Sequence, residues 1–205
     1  MLVTSESTGL IETITDAVSV HSIKKDAYSR AAQTNDGFVS FTLYDHFVEK
    51  FGEPDSSAFR RAQDCFMKSL ASYSIICYIL QIKDRHNGNI LIDKQGHIIR
   101  SLQTCCESER EQILTSTADI DFGFLLSNSP GQLGFEMAPF KLPQEYIDIL
   151  GGMESQKYAE FRLLLRRTFW DVRKHAERII MIVELMQKGR SYLCRFALAH
   201  YFCRL

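Results

Sequence analysis

The stretch Asp84-Arg85-His86-Asn87-Gly88-Asn89 is the most informative segment of this chain of 205 residues. An apolar helical pattern runs up to it, and the short apolar run Ile90-Leu91-Ile92 follows it. Further along, Ile120-Asp121-Phe122-Gly123 places an acidic residue in front of a Phe-Gly turn. Each short motif alone is unspecific, but the two in this order and context form a strong signal.

The two segments together offer the side chains that phosphoryl transfer requires. That reaction uses a proton acceptor beside the attacking hydroxyl group, and an Asn and an Asp that hold the metal ion bridging the ATP phosphates. Carboxylate and amide oxygens are donors that suit Mg²⁺. The pattern therefore predicts a phosphoryl-transfer site to which both segments contribute.

The order Asp-Arg-His is reversed from the His-Arg-Asp of protein kinases, and it resembles the phosphatidylinositol 3-/4-kinase superfamily. The similarity is greatest to the type III beta phosphatidylinositol 4-kinases, and it covers roughly residues 1–100 and 119–188. The uninterrupted run Lys83–Ile92 is its most specific part. Further matching segments are residues 9–12, 17–21, 80–82, 120–123, 129–130, 133–136, 140–142, 151–152, 173–175 and 182–184.

The resemblance assigns catalytic roles to four side chains. His86 would accept the proton of the inositol hydroxyl, because histidine side chains exchange protons near neutral pH. Asp84 would orient the loop or share that task, and the sequence does not divide the two roles. Asn89 and Asp121 would be the Mg²⁺ ligands. The cofactors implied are ATP and Mg²⁺.

The resemblance also locates the nucleotide. The adenine would lie against the backbone of Glu12 to Ile14, with Ile120 packing on one of its faces. Lys83 would help to neutralise the phosphates, although a lysine at this position could equally be solvated. We therefore expect these residues to bind the cofactor.

The segment Phe124–Leu142 corresponds, by the same resemblance, to the activation loop that reads the lipid headgroup. It carries two charged side chains, Glu136 and Lys141. Polyphosphorylated headgroups call for several Lys or Arg side chains, so a single lysine favours plain phosphatidylinositol. The expected substrate contacts are Phe124, Phe135, Phe140 and Lys141. Four apolar residues would press on the bilayer or pack against the lobe: Phe135, Met137, Pro139 and Phe140.

Composition bears on which partners the chain binds and on the cellular compartment in which it works. The formal net charge of −1 gives no electrostatic case for binding nucleic acid. No apolar run approaches the ~20 residues that span a bilayer, and the first residues do not form a signal peptide. The six cysteines show no CxxC pair, which favours the reducing cytosol. We expect peripheral contact with the cytosolic face of membranes, the Golgi by resemblance, with adaptor proteins as possible partners.

The predicted fold class is α+β. The pattern resembles the mostly helical C-terminal lobe of a protein-kinase-like fold with a short β-hairpin, and the N-terminal lobe is expected to be largely absent. Residues 2–4 read as the end of a strand. A helix is expected to open within residues 17–25, and the polar residues 26–37 read as a loop.

Two helices can be delimited from local signals. Aromatic residues recur at helical spacing in residues 41–51, and Gly52-Glu53-Pro54 ends that pattern. Asp55-Ser56-Ser57 is a plausible N-cap for the longest helix. Its expected inward face comprises Phe59, Ala62, Phe66, Leu70, Tyr73, Cys77 and Leu80.

A hairpin and a helical region complete the prediction. Residues 90–92 and 97–99 flank the turn Asp93-Lys94-Gln95-Gly96. After Pro143 the chain is expected to be helical to about Lys188, with a break at Gly151-Gly152.

Three departures from the family pattern define the expected domains. The Gly-rich phosphate loop and strand lysine of a kinase are not found and would lie upstream, so this chain alone should have very low activity. Residues 100–119 stand where the family has one His, and should form a surface loop whose Cys105-Cys106 pair is read as reduced thiols. Residues 1–188 would then be a catalytic-domain portion, and 189–205 a divergent tail.

The tail allows two interpretations. It could be an amphipathic surface-binding helix, or sequence foreign to this fold. Together the three departures suggest a truncated or alternatively spliced product. Two function classes follow: a phosphatidylinositol 4-kinase, or a catalytically silent domain that binds partners or lipid. A small-molecule phosphotransferase is disfavoured, since the similarity runs through the headgroup segment to Leu142.

Overall fold

A computed structural model describes residues 2–3, 9–10, 14–34, 40–83, 85–100 and 138–186. The described part is mostly helical, as the sequence predicted, and it contains a small three-stranded sheet and a two-stranded one. The strands are β1 (Leu2–Val3), β2 (Gly9–Leu10), β3 (Ala17–Ser19), β4 (Ile90–Asp93) and β5 (Ile98–Arg100). The helices are α1 (Val20–Thr34), α2 (Leu43–Phe51), α3 (Ser57–Leu80), α4 (Gln144–Ile149), α5 (Gln156–Arg173) and α6 (Ala176–Met186).

Helix α3 is the central element of the core. It begins as predicted at the N-cap Ser56, whose hydroxyl accepts a hydrogen bond from the backbone N–H of Phe59 at 3.0 Å. The predicted inward residues are buried or half-buried. The helix ends at Gln81, which adopts a left-handed conformation with φ 51° and turns the chain toward the segment that begins at Arg85.

The predicted hairpin is confirmed, and a third strand extends it. Strand β4 pairs with β5 in antiparallel register, with Leu91 opposite Ile99. The other edge of β4 pairs with β3, with Val18 opposite Ile92. The helix expected to open within residues 17–25 begins at Val20, because residues 17–19 first satisfy their backbone hydrogen bonds in the sheet.

The prediction of a loop over residues 26–37 was wrong for most of that range, because α1 continues to Thr34. Only a narrow stripe of this helix, formed by Val20, Ile23 and Ala27, is buried. Polar residues surround the stripe, and such a weakly amphipathic helix gives little periodic signal. Tertiary packing of that stripe, rather than local pattern, accounts for the helix.

The remaining helices follow their sequence signals. Helix α2 starts with a capping box in which Thr42 and Asp45 bind each other's backbone N–H groups. Beyond Pro143 the chain is helical, with the predicted break at Gly151 and Gly152, which take φ values of 88° and 92°. A second break, not predicted, separates α5 from α6. Within the described ranges, no helix is long and apolar enough to cross a membrane.

An aromatic cluster joins these helices beneath the sheet. The ring of Phe66 in α3 lies edge-on to Phe47 of α2 and to Tyr146 of α4, with ring centroids 5.4 Å apart in both pairs. Ile92 of β4 is fully buried in the same cluster. The segment between α3 and β4 is therefore anchored at both ends to one core.

Candidate functional site

Residues 85–89 form a tight connection between α3 and the sheet. The chain makes a 3₁₀ turn over Asn87–Asn89 and then enters β4 at Ile90. The N–H of Asn89 donates to the carbonyl oxygen of His86 at 3.1 Å, which closes the turn. The turn exposes His86 and buries Asn89, which is 1 % exposed. The two sequence-predicted side chains therefore share one short turn but differ in their access to solvent.

The His86 ring is fixed by its own loop. The backbone N–H of Gly88 donates to Nδ1 of His86 at 3.0 Å. A ring nitrogen that accepts a hydrogen bond carries no hydrogen, so the neutral imidazole in this conformation bears its hydrogen on Nε2. The resting ring can donate from Nε2, whereas proton acceptance at Nδ1 requires release of the Gly88 N–H.

Gly88 leaves the space that the His86 ring occupies. A Cβ atom built at position 88 would lie 2.9 Å from Cε1 and 3.0 Å from Nδ1 of His86. Real Cβ atoms essentially never approach other heavy atoms closer than 3.0 Å. A larger residue here would therefore displace the His86 ring from its present position.

Two long side chains, one from the segment before α4 and one from the turn, connect this segment to the turn. Nζ of Lys141 donates to the carbonyl oxygen of Arg85 at 2.7 Å and to Oδ1 of Asn87 at 2.9 Å. In the opposite direction, Nη2 of Arg85 donates to the carbonyl oxygen of Ala138 at 2.6 Å. Arg85 is only 5 % exposed. We refer to these three hydrogen bonds as the Arg85–Lys141 brace.

A cavity of about 40 Å³ lies behind the brace and is bordered by Arg85, Phe140, Lys141 and Tyr146. Its walls are mostly apolar, but they include the hydroxyls of Ser74 and Tyr146. Both hydroxyls are buried and have no hydrogen-bond partner among the described residues. Burial raises the pKa of Tyr146 well above its usual range, so its phenol stays neutral.

Some of the predicted site residues lie within the described ranges, and others lie outside them. His86, Asn89 and Lys141 come together at the turn. Lys83, which precedes the turn in the chain, and Phe140, which precedes Lys141, are half-buried, and Ile14 is 43 % exposed. The other predicted residues lie outside the described ranges, and their roles stay predictions: Glu12, Asp84, Ile120, Asp121, Phe124 and Phe135. The expected loop at 100–119 and the tail at 189–205 also lie outside them.

No role was predicted from sequence for Arg85, Asn87, Gly88 or Tyr146. The glycine between two asparagines was a usable signal, because such a position often reflects a close backbone approach. The partners of Arg85 and Asn87 are more than 50 positions away along the chain, so local pattern could not reveal them.

The metal-binding capacity of the described part is limited. No cluster of three or more His, Cys, Asp or Glu side chains suited to a metal occurs among its residues. Asn89 supplies an amide oxygen, a donor type that suits Mg²⁺. Its role as a Mg²⁺ ligand together with Asp121 stays a prediction from the sequence.

Comparison with known proteins places the chain in a family. The family model "Phosphatidylinositol 3- and 4-kinase" matches residues 1–195. This chain belongs to that family. Relatives include phosphatidylinositol 4-kinase PIK1alpha of Candida albicans, 50 % identical over 196 residues, and phosphatidylinositol 4-kinase PIK1 of Saccharomyces cerevisiae, 47 % identical over 197. Phosphatidylinositol 4-kinase beta of Xenopus tropicalis is 38 % identical over 194 residues.

These matches cover most of this chain but a small part of each relative. They include 95 % of the present chain in all three cases. The chain spans 18 % of the C. albicans protein, 17 % of the S. cerevisiae protein and 20 % of the X. tropicalis protein. The family assignment agrees with the superfamily resemblance found in the sequence.

Proposed function

We propose that this chain is the catalytic-loop portion of a phosphatidylinositol 4-kinase, which transfers the γ-phosphoryl group of ATP to an inositol hydroxyl of phosphatidylinositol. The observation that carries the proposal is the turn at residues 85–89, which exposes His86, buries Asn89 and is braced by Lys141. This turn occurs in a chain 50 % identical to a phosphatidylinositol 4-kinase over 95 % of its length.

His86 would remove the proton from the attacking hydroxyl. Its exposure gives an incoming headgroup access to the ring. Because Nδ1 accepts a hydrogen bond from Gly88, the ring must leave that contact to act as a base at Nδ1. Hydrogen bonds at catalytic groups are often reorganised when substrate binds, and Asp84 would assist by orienting the loop or by sharing the proton.

Asn89 and Asp121 would hold Mg²⁺ next to the nucleotide. When bound, ATP would supply the phosphoryl group, and Mg²⁺ would supply positive charge that offsets the charge developing during transfer. The buried side chain of Asn89 loses little further freedom when it binds a ligand, which favours precise placement. Lys83, the backbone of Glu12 to Ile14, and Ile120 complete the proposed nucleotide contacts.

Phosphatidylinositol is the proposed lipid, and Phe124, Phe135 and Phe140 are its proposed contact residues. Lys141 is engaged with two oxygens of the turn, and a headgroup with extra phosphates would compete for its ammonium group. This favours a headgroup that carries only the phosphodiester. Contact would be peripheral, on the cytosolic face of a membrane such as the Golgi, with adaptors as possible recruiting partners.

The proposal also includes a fold class and domain boundaries. The helices around the small sheet would form the C-terminal lobe of a kinase-like fold within residues 1–188, with 100–119 as an inserted loop and 189–205 as a divergent tail. Because the strand lysine and phosphate loop are not found in this sequence, we expect weak turnover from the chain by itself.

A lipid kinase assay tests the proposal. Radiolabelled ATP and Mg²⁺ are supplied with phosphatidylinositol vesicles, and labelled lipid is measured for the wild type, His86→Ala and Asp121→Ala. We expect weak but measurable incorporation by the wild type and its loss in both variants. His175→Ala, an exposed histidine between α5 and α6, is the matched control and should keep the wild-type rate.

The opposite outcome has a defined meaning. Should the folded wild-type chain incorporate no label above the blank, the kinase proposal fails for this chain. The result would then support the catalytically silent binding domain.

A further inference from the structure

Lys141 holds the two residues that flank the proposed base. One of its hydrogen bonds goes to the backbone of Arg85 and the other to the side chain of Asn87. His86 lies between these two residues in the chain. Fixing both neighbours restricts the φ and ψ angles that direct the imidazole.

The brace is reciprocal and partly shielded from water. Arg85 returns a hydrogen bond of 2.6 Å to the carbonyl oxygen of Ala138, three residues before Lys141. Arg85 is buried and Lys141 is half-buried. Hydrogen bonds from charged donors are stronger than neutral ones, and a low local dielectric strengthens them further. The end of the predicted headgroup segment is thereby coupled to the turn.

We propose that Lys141 is a positioning residue, which orients His86 and Asn89 by holding the 85–89 turn. The catalytic part of this inference rests on the proposed function. It deepens that function, because the lysine predicted to read the headgroup would instead couple the headgroup segment to the catalytic turn. A lipid that bound residues 138–141 would act on His86 through the brace.

Hydrogen exchange in the full chain tests the placement without any need for turnover. In Lys141→Met, which keeps an apolar stem but removes the donors, we expect amide exchange at Gly88 and Asn89 to accelerate about tenfold. Exchange in α5 should stay unchanged. Lys157→Met is the matched control, because Lys157 also makes two side-chain hydrogen bonds, to Asp64 and Glu160, on another part of the surface.

Unchanged exchange at Gly88 and Asn89 in Lys141→Met would overturn the proposal. If that variant instead loses protection along the whole chain, Asn87→Ala decides, since it removes one acceptor and leaves Lys141 in place. Faster exchange confined to the turn in Asn87→Ala supports the brace, and unchanged exchange refutes it.

Kinetics on phosphatidylinositol vesicles separate positioning from headgroup contact. Positioning predicts that Lys141→Met lowers kcat by about 10- to 100-fold, keeps KM for the lipid within about twofold of the wild type, and is partly rescued by Lys141→Arg. A raised KM with unchanged kcat would identify a headgroup contact and overturn the inference. If the wild type has no activity, the proposed function fails, and the exchange measurement alone decides the brace.

Discussion

The backbone N–H of Gly88 donates to Nδ1 of His86 at 3.0 Å, within a single turn of the chain. This contact holds the ring of the proposed base in one orientation and uses the lone pair of one ring nitrogen. The resting turn is therefore ordered but has Nδ1 occupied. An incoming hydroxyl group must replace the Gly88 N–H before it can give its proton to that atom.

The tautomer of His86 is the first prediction. At a pH where the ring is neutral, we expect the hydrogen on Nε2, because Nδ1 accepts from Gly88. Long-range proton–nitrogen NMR on the labelled chain distinguishes the two tautomers by their ¹⁵N shifts. Observation of a hydrogen on Nδ1 would show that the Gly88 contact does not hold in solution.

Gly88→Ala tests the space beside the ring. The added Cβ would lie 2.9 Å from Cε1 of His86, so the ring must move and lose its hydrogen bond. We expect altered His86 ring shifts and, in the vesicle assay, a fall in kcat of about tenfold or more. Gly152→Ala is the control, because its Cβ meets nothing within 4 Å. Its positive φ strains the backbone, but the His86 shifts should stay unchanged.

Local sequence signals were sufficient where one segment determines its own structure. The serine at position 56 caps α3, and the turn at residues 93–96 forms the hairpin, as both patterns indicated. Each depends on hydrogen bonds between residues a few positions apart. Such bonds leave a readable pattern of residue types.

Contacts between residues far apart in the chain left no readable pattern of residue types in the sequence. Lys141 was predicted to face a headgroup, and it donates hydrogen bonds to Asn87 and Arg85, which lie 54 and 56 positions earlier in the chain. A lysine that binds a backbone carbonyl imposes no requirement on the partner's side chain. The continuation of helix α1 beyond residue 25 was missed for a related reason, since its buried stripe is defined by packing rather than by strong periodicity.

Stability should depend on the charge of His46 in α2. Burial lowers the pKa of His46 below its ordinary value, and nearby Lys50 lowers it further. The neutral form of His46 is therefore favoured by the folded state. Its contribution to the free energy of unfolding is complete at pH values above the unfolded-state pKa, near 6.5, and it is lost as the pH falls through the lower pKa of the folded state. We expect the Tm of the wild type to fall between pH 8 and 5.

His46→Phe isolates this contribution, because it removes the titrating group and keeps an aromatic ring beside Phe47. The difference in Tm between variant and wild type should shift in favour of the variant as pH falls. Thermal unfolding of both proteins across the range provides the measurement. Parallel curves would rule out a role for His46 in the pH dependence.

Tyr146→Phe tests the cavity behind the brace. The Tyr146 hydroxyl is buried without a hydrogen-bond partner among the described residues, so its removal relieves a desolvation cost. We expect the free energy of unfolding to stay level or to rise by up to about 1 kcal/mol. Tyr146→Ala should instead cost about 3–5 kcal/mol, because it removes the ring that packs on Phe66. A clear loss of stability in urea unfolding of Tyr146→Phe would indicate a bonded hydroxyl.

The side chain of Glu145 links α4 to helices α1 and α2. One carboxylate oxygen accepts from Nζ of Lys24 in α1, and the other accepts from the backbone N–H of Leu43 at the start of α2, at 3.2 Å. The pair with Lys24 is half-buried, so Glu145→Ala should lower the free energy of unfolding by about 1–2 kcal/mol. Asp55→Ala is the matched control, because its ion pair with Arg60 is largely exposed; such pairs contribute little. Urea unfolding of both variants should separate them, and equal losses would show that Glu145 does not join the three helices.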